Sequence, residues 1–192
     1  MTATTPPPAS SSLIEAVVLS HAAIDDMSNV RHLHASSAKR LAAGMLSDAE
    51  IRAFVAHIYT DGYSARIADV AAAGRLVLAR LNGELIGSAG WLVANDTGAV
   101  ARLIGVFVSP LFARQGIGRL LVTAAEAQAR QAGFATFTVR APLGASVFFE
   151  HLGYEAASHG VWPLTRDVAL PVAFLRKPDP IPKVVQLRPG SH

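Results

Sequence analysis

Two periods of apolar positions run along this chain. In residues 75–93, "RLVLARLNGELIGSAGWLV", two apolar runs are broken by Asn82-Gly83. That pair tolerates positive φ at both central positions of a type I′ turn, so the stretch predicts a β-hairpin. Further strands are expected in "LIEAVVLS" (13–20), at about 99–108, in "FATFTVR" (134–140) and in "VALPVAFLRK" (168–177), where Pro171 suggests an edge or a bulge.

Helical spacing takes over elsewhere. Asp25 or Asp26 is placed to cap a helix bearing Met27, Val30, Leu33 and Leu41. Ser47 followed by Glu50 is a capping box, and Ile51, Phe54, Val55, Ile58 and Tyr59 make one apolar face behind it. After the strand ending near residue 108, Ile117, Leu120, Leu121 and Ala124 form a face that packs on a sheet. Arg119, Thr123, Glu126 and Arg130 form the opposite face, and Gly133 stops the helix. "GASVFFEHLGY" predicts a short helix closed by Gly153. Strand, loop, helix and strand in that order are a crossover joining two parallel strands.

Composition narrows the chemistry. The 192 residues are 51% hydrophobic, enough for one core. There is no cysteine, which removes disulfides, thiolate metal ligands and a thiol nucleophile. The formal charge is only +3 and the arginines are scattered, so no nucleic-acid partner is expected. No uncharged apolar run reaches about 18 residues, and the opening "MTATTPPPASSS" lacks the form of a signal peptide, so a cytoplasmic protein without a membrane partner is expected. Residues 1–12 read as a disordered leader, 13–177 as a single domain and 178–192 as a proline-rich tail. Dimerisation to a homodimer is expected through the last strand, because Pro171 interrupts its edge.

The stretch "VFVSPLFARQGIGRLLV" (106–122) carries the most chemistry. The first N–H groups of a helix lack intrahelical partners, and the macrodipole places about +0.5 charge beside them. Gly116 and Gly118 leave that backbone without Cβ atoms, and Arg114, Gln115 and Arg119 surround it with donors. An anion is the natural occupant. A P-loop would need Gly-Lys-Ser/Thr, but Gly118 is followed by Arg119, and a dinucleotide fingerprint would need glycine where Leu121 stands. The remaining alternative is an ordinary glycine-rich turn before a core helix.

The same residues resemble the acetyl-coenzyme A signature of the Gcn5-related N-acetyltransferase (GNAT) superfamily: an apolar strand ending in Val-x-Pro, then [Gln/Arg]-x-x-Gly-x-[Gly/Ala]. "ASVFFEHLGYEAAS" is similar to that superfamily's later segment, Ala-x-x-Phe-Tyr-x-x-x-Gly-Phe. The resemblance runs over residues 13–177 and implies an α/β fold with a mixed central sheet of about six to seven strands and flanking helices. It implies acetyl-coenzyme A as co-substrate, with the main chain of Phe107 and Val108 binding the pantetheine arm. Arg114, Gln115, Gly116, Ile117, Gly118 and Arg119 would wrap the pyrophosphate, with Phe149 also at the cofactor. Ala113 stands where the signature has Gln or Arg, so one side-chain donor is missing.

The implied reaction is direct acetyl transfer to a primary amine, with a small-molecule acceptor expected. A coenzyme-A-binding regulator and acetylation of a protein amine are the alternatives. An ammonium near pKa 10.4 must lose a proton, and the carbonyl oxygen needs a donor as charge builds on it. The resemblance assigns that donor to the backbone N–H of Val108. The strand "VARLIGVFV" offers no carboxylate base and carries Arg102 instead, while Phe149 stands where the superfamily often has an acidic tyrosine. Tyr154 is the remaining candidate acid. Candidate bases are His57, Tyr59, Asp61 and Tyr63 around the end of the second helix, then Asp96, His151 and His159. His32 and His34, two apart on a helix, face different sides, so no metal site is expected.

Overall fold

A computed structural model describes residues 10–41, 44–94 and 100–178. Its elements in chain order are α1 (Ser10–Ala16), β1 (Val18–His21), α2 (Met27–Leu41), α3 (Asp48–Ile58), α4 (Asp61–Ala72), β2 (Leu76–Leu81) and β3 (Glu84–Val93). They continue with β4 (Val100–Val108), α5 (Ile117–Gln131), β5 (Thr136–Pro142), α6 (Ser146–Glu150), β6 (Glu155–Pro163) and β7 (Ala169–Pro178). The seven strands form one sheet in the order β1-β2-β3-β4-β5-β7-β6, with β4 and β5 the parallel pair joined by α5.

Alternation along each strand divides the core in two. On β2, Val77 and Ala79 pack with Ile117, Leu121, Val122 and Ala125 of α5, while Leu76 and Leu78 pack with Val30 of α2 and Ile67 and Val70 of α4. Further along that second face, Phe54 and Ile58 of α3 meet Leu170 and Val172 of β7. Helix α5 thus covers one face and α2–α4 the other. The predicted capping box holds α3 in place: Glu50 N–H donates to Ser47 Oγ at 3.3 Å, and Ser47 N–H donates to Glu50 Oε2 at 2.7 Å. Asn82 and Gly83 turn the hairpin with φ values of 51° and 85°.

The structure departs from the sequence reading in five places. "LIEAVVLS" is divided, its first half ending α1 and only Val18–His21 pairing as a strand. Of the expected leader, residues 10–12 belong to α1 and residues 1–9 lie outside the described residues, as do residues 179–192 of the expected tail. Helix α4 was not expected, although Thr60 caps it by accepting the Tyr63 N–H at 3.3 Å. Strand β6, also unexpected, takes the sheet edge, so β7 lies between β5 and β6 and its edges are occupied. Pro171 is tolerated there because it lies one residue past Val172, the last position paired with β5. From Val172 onward the last strand is thus flanked by β5 and β6 and is not the free sheet edge expected for a dimer contact. Finally, Glu126 is not on a solvent face. It is 3% exposed and accepts hydrogen bonds from Tyr154 Oη at 2.8 Å and Lys177 Nζ at 2.9 Å, because β7 and Tyr154 cover that side of α5.

Among the described residues, no helix is long and apolar enough to cross a membrane.

Candidate active site

Strands β4 and β5 stay paired only from Val100↔Thr136 to Leu103↔Val139, after which β5 continues against β7 and the two parallel strands part. The same part of β4 contains a bulge. Ser88 pairs with Phe107 and Gly90 with Ile104, leaving Gly105 and Val106 opposite a single β3 residue. Gly105 adopts φ +60°, where a side chain would be strained. The extra residue inverts the alternation. Ala101 and Leu103 face α5, and beyond the bulge Val106 and Val108 do so, while Phe107 turns towards α2 and α3.

A buried network fastens the bulge. Ser88 Oγ donates its proton to the Gly105 carbonyl at 2.7 Å, so it accepts from His34 Nε2–H at 2.8 Å. His34 Nδ1 is then the acceptor for the Tyr63 phenol at 2.8 Å. The ring of His34 stacks on Phe107 at 4.3 Å between centroids. Complete burial pushes the His34 pKa down to about 3, and burial likewise pushes the Tyr63 phenol up. His34 is a neutral structural group here. Neither its composition nor its place two residues from His32 announced that role.

At the end of β4, Ser109 N–H donates to Ile86 O at 2.7 Å. Alternation then directs the polar main-chain atoms of Phe107 towards Ser88 on β3 and the Val108 N–H towards the edge that β5 has left. Ser37 Oγ of α2 donates to Val108 O at 2.8 Å and holds the strand end. Val108 thus turns its N–H towards the parted edge, whereas the main chain of Phe107 is engaged by β3 and its ring is packed against His34 and Phe54.

The following loop reaches α5 through two left-handed residues, Arg114 at φ 65° and Gly116 at φ 86°. Gly116 is the N-cap and contributes no side-chain cap, so the N–H groups of Ile117, Gly118 and Arg119 have no partner among the described residues. That cradle fits an anionic diphosphate. The absence of Cβ atoms serves packing as well: a Cβ on Gly116 would lie 2.7 Å from Ile14 of α1, and one on Gly118 would lie 3.0 Å from the Phe148 ring. Arg114 and Arg119 are exposed beside the cradle, Ile117 is buried, and Gln115 Nε2 closes the loop on Leu111 O at 3.3 Å.

On the α2–α4 face, a cavity of about 290 Å³ opens among His57, Thr60, Gly62, Tyr63, Arg66, Arg140 and Trp162. Arg140 is the β5 residue just after its last partnership with β4, and its guanidinium carbon lies 4.1 Å from the centre of the Trp162 ring. The His57 ring meets Trp162 at 4.8 Å and Tyr63 at 5.6 Å. Burial, then the charges of Arg140 and Arg66, hold the His57 pKa below its ordinary value, so its imidazole is neutral at pH 7. Burial, then Arg102 and Arg66, lowers that of Arg140 as well.

Residues 42–161 match the model of the acetyltransferase (GNAT) domain, more than half of the chain. The chain belongs to the GNAT family of N-acetyltransferases. Its fold is similar to that of a Gcn5-related N-acetyltransferase from Rhodopseudomonas palustris, at 22% identity and a TM-score of 0.71 over 84% of this chain and 94% of that one. PaiA N-acetyltransferase from Thermoplasma acidophilum, solved in complex with coenzyme A, aligns at 17% identity and a TM-score of 0.66 over 84% and 98% of the two chains. The ribosomal-protein-S18-alanine N-acetyltransferase of Escherichia coli aligns at 18% identity and a TM-score of 0.57, over 88% and 98%. No curated protein matches the sequence.

Within this GNAT domain the candidate residues fall into two groups. His57 and Tyr63 meet at the cavity; Tyr59 and Asp61 are exposed and do not line it, and Asp96 lies outside the described residues. His151 follows α6 and His159 lies on the exposed edge strand β6. Tyr154 is 2% exposed with its phenol given to Glu126, so the geometry makes it a core residue rather than an acid. Phe149 is 4% exposed and packs edge-on against Phe148 and Tyr154, which leaves Phe148 as the ring next to the glycine loop. The sequence reading passed over Arg66, Arg140 and Trp162. Arg140 did leave a signal: on β5 it shares a face with Thr138, opposite the buried Phe137 and Val139. No group of three His, Cys, Asp or Glu able to hold a metal occurs among the described residues.

Proposed function

We propose that this N-acetyltransferase moves an acetyl group from acetyl-coenzyme A directly to the primary amine of a small molecule, with His57 receiving the amine's proton. The observation that carries the reading is the His57-bearing cavity of about 290 Å³ on the face where β4 and β5 part. It lies at the small end of ligand sites, which run from about 300 to 1,000 Å³. The carboxyl end of a parallel pair is also where α/β sheets receive ligands.

Acetyl-coenzyme A, when bound, would supply an activated acetyl thioester whose carbonyl carbon bonds to the amine nitrogen as the C–S bond breaks, the sulfur departing as thiolate and taking its proton from water. The chain's own groups then have three tasks. The first-turn N–H groups of α5, with Arg114 and Arg119, hold the pyrophosphate. The Val108 N–H, kept in direction by Ser37, donates to the acetyl oxygen. His57 is neutral at pH 7 and accepts the proton released by nitrogen. No protein acid is required at sulfur, because a thiol of pKa near 8.5 is already an adequate leaving group.

The test is thiol release from acetyl-coenzyme A with a panel of primary amines. His57→Ala should lower kcat by about 10²–10⁴-fold with a smaller change in KM. The wild-type kcat/KM should fall with acidification through a midpoint below 6.5, since the lowered pKa leaves His57 basic down to that point. An unchanged kcat in His57→Ala would remove His57 from the reaction. Binding of coenzyme A without amine-dependent thiol would remove the transfer itself.

A further inference from the structure

We infer that the acceptor of this site is an anionic amine, a small molecule that carries a carboxylate or phosphoryl group beside the nitrogen to be acetylated. The inference rests on the acceptor reading above and names the acceptor's chemistry. Arg66 of α4 and Arg140 of β5 both line the cavity, and no aspartate or glutamate does. Arg102 of β4 adds a third positive charge to the field at Arg140. Among the described residues the ion pairs are Arg80–Asp26, Arg130–Glu126 and Lys177–Glu126, and none involves Arg66, Arg102 or Arg140. Three like charges thus converge without a counterion, with Arg140 held against the Trp162 ring at 4.1 Å.

All three guanidinium groups are exposed, so water screens them and they are available to an anionic ligand. A guanidinium fork matches a carboxylate or phosphoryl oxygen pair geometrically, and a stacked Arg140 is already oriented to make the bond. A polyamine or other polycation would meet repulsion from every charged group on the wall. An acceptor with one amine and one anionic group meets both His57 and the arginines within the one cavity.

Matched acceptor pairs provide the test: β-alanine against β-alaninamide, and 2-aminoethylphosphonate against ethanolamine. Each is measured by thiol release with acetyl-coenzyme A and by calorimetric titration into the protein holding coenzyme A. We expect kcat/KM at least about ten-fold higher for the anionic member of a pair, a measurable heat for that member alone, and a collapse of both differences in Arg140→Gln and in Arg66→Gln. The pair showing the larger ratio distinguishes carboxylate from phosphoryl. Equal or faster turnover of the neutral members would overturn the inference and leave acetyl transfer standing. Heat with the anionic amines but no thiol from any amine would support the anion site and overturn the transfer reading. Neither heat nor turnover preference would overturn the anion site.

Discussion

Acid should loosen this fold through one histidine. His34 is fully buried, neutral and committed at both nitrogens, to Ser88 and Tyr63 at 2.8 Å each. Burial lowers its pKa to about 3, whereas an unfolded histidine titrates near 6.5. The unfolded chain therefore takes up this proton first as pH falls. The stabilisation is complete above about pH 6.5 and is lost on acidification at about 1.4 kcal/mol per pH unit until His34 itself titrates. From pH 6 to pH 4 the loss from this residue comes to about 2–3 kcal/mol, a large share of the 5–15 kcal/mol that holds a typical domain together.

The assay is urea unfolding at pH 6, 5 and 4 for the wild type and for His34→Gln, whose amide keeps a donor towards Ser88 but does not titrate. At pH 7 the variant should be less stable by about 1–3 kcal/mol, because the Tyr63–His34–Ser88 chain is broken. Its stability should nevertheless fall by about 2–3 kcal/mol less than that of the wild type between pH 6 and pH 4, since every other titrating group is common to both proteins. Parallel losses in the two proteins would refute the buried neutral histidine. The network also pins Gly105, so loss of activity in His34→Gln should accompany loosening of the β4 bulge.

Two further outcomes follow from the site. Arg114→Gln combined with Arg119→Gln should weaken coenzyme A binding by about ten-fold or more and reduce its salt dependence in calorimetric titrations, because both exposed guanidinium groups flank the α5 N-terminus. Unaltered affinity would place the pyrophosphate elsewhere. Tyr154→Phe should cost about 0.5–1.5 kcal/mol in thermal or urea unfolding by removing the bond to Glu126, while leaving kcat in place. A large fall in kcat with little loss of stability would restore Tyr154 as an acid.

The sequence by itself determined the elements whose signals are local. Asn82-Gly83 fixes the hairpin by its φ preferences, Ser47 and Glu50 fix the start of α3, and Gly116 and Gly118 mark the opening of α5. Periodicity also gave the packing face of α5 at Ile117, Leu121 and Ala124, but it could not reveal that β7 and Tyr154 would cover Glu126. The candidate site divides along the same line. Its proposed coenzyme loop is one continuous stretch carrying a motif, whereas the cavity proposed for the acceptor draws His57 from α3, Arg66 from α4, Arg140 from β5 and Trp162 from β6. A residue pattern states which side of its own helix or strand is apolar. Which element lies against that side depends on strand order, on the inversion produced by one extra residue at Gly105, and on where β4 and β5 cease to pair. Those are long-range backbone pairings, and only the folded chain decides them.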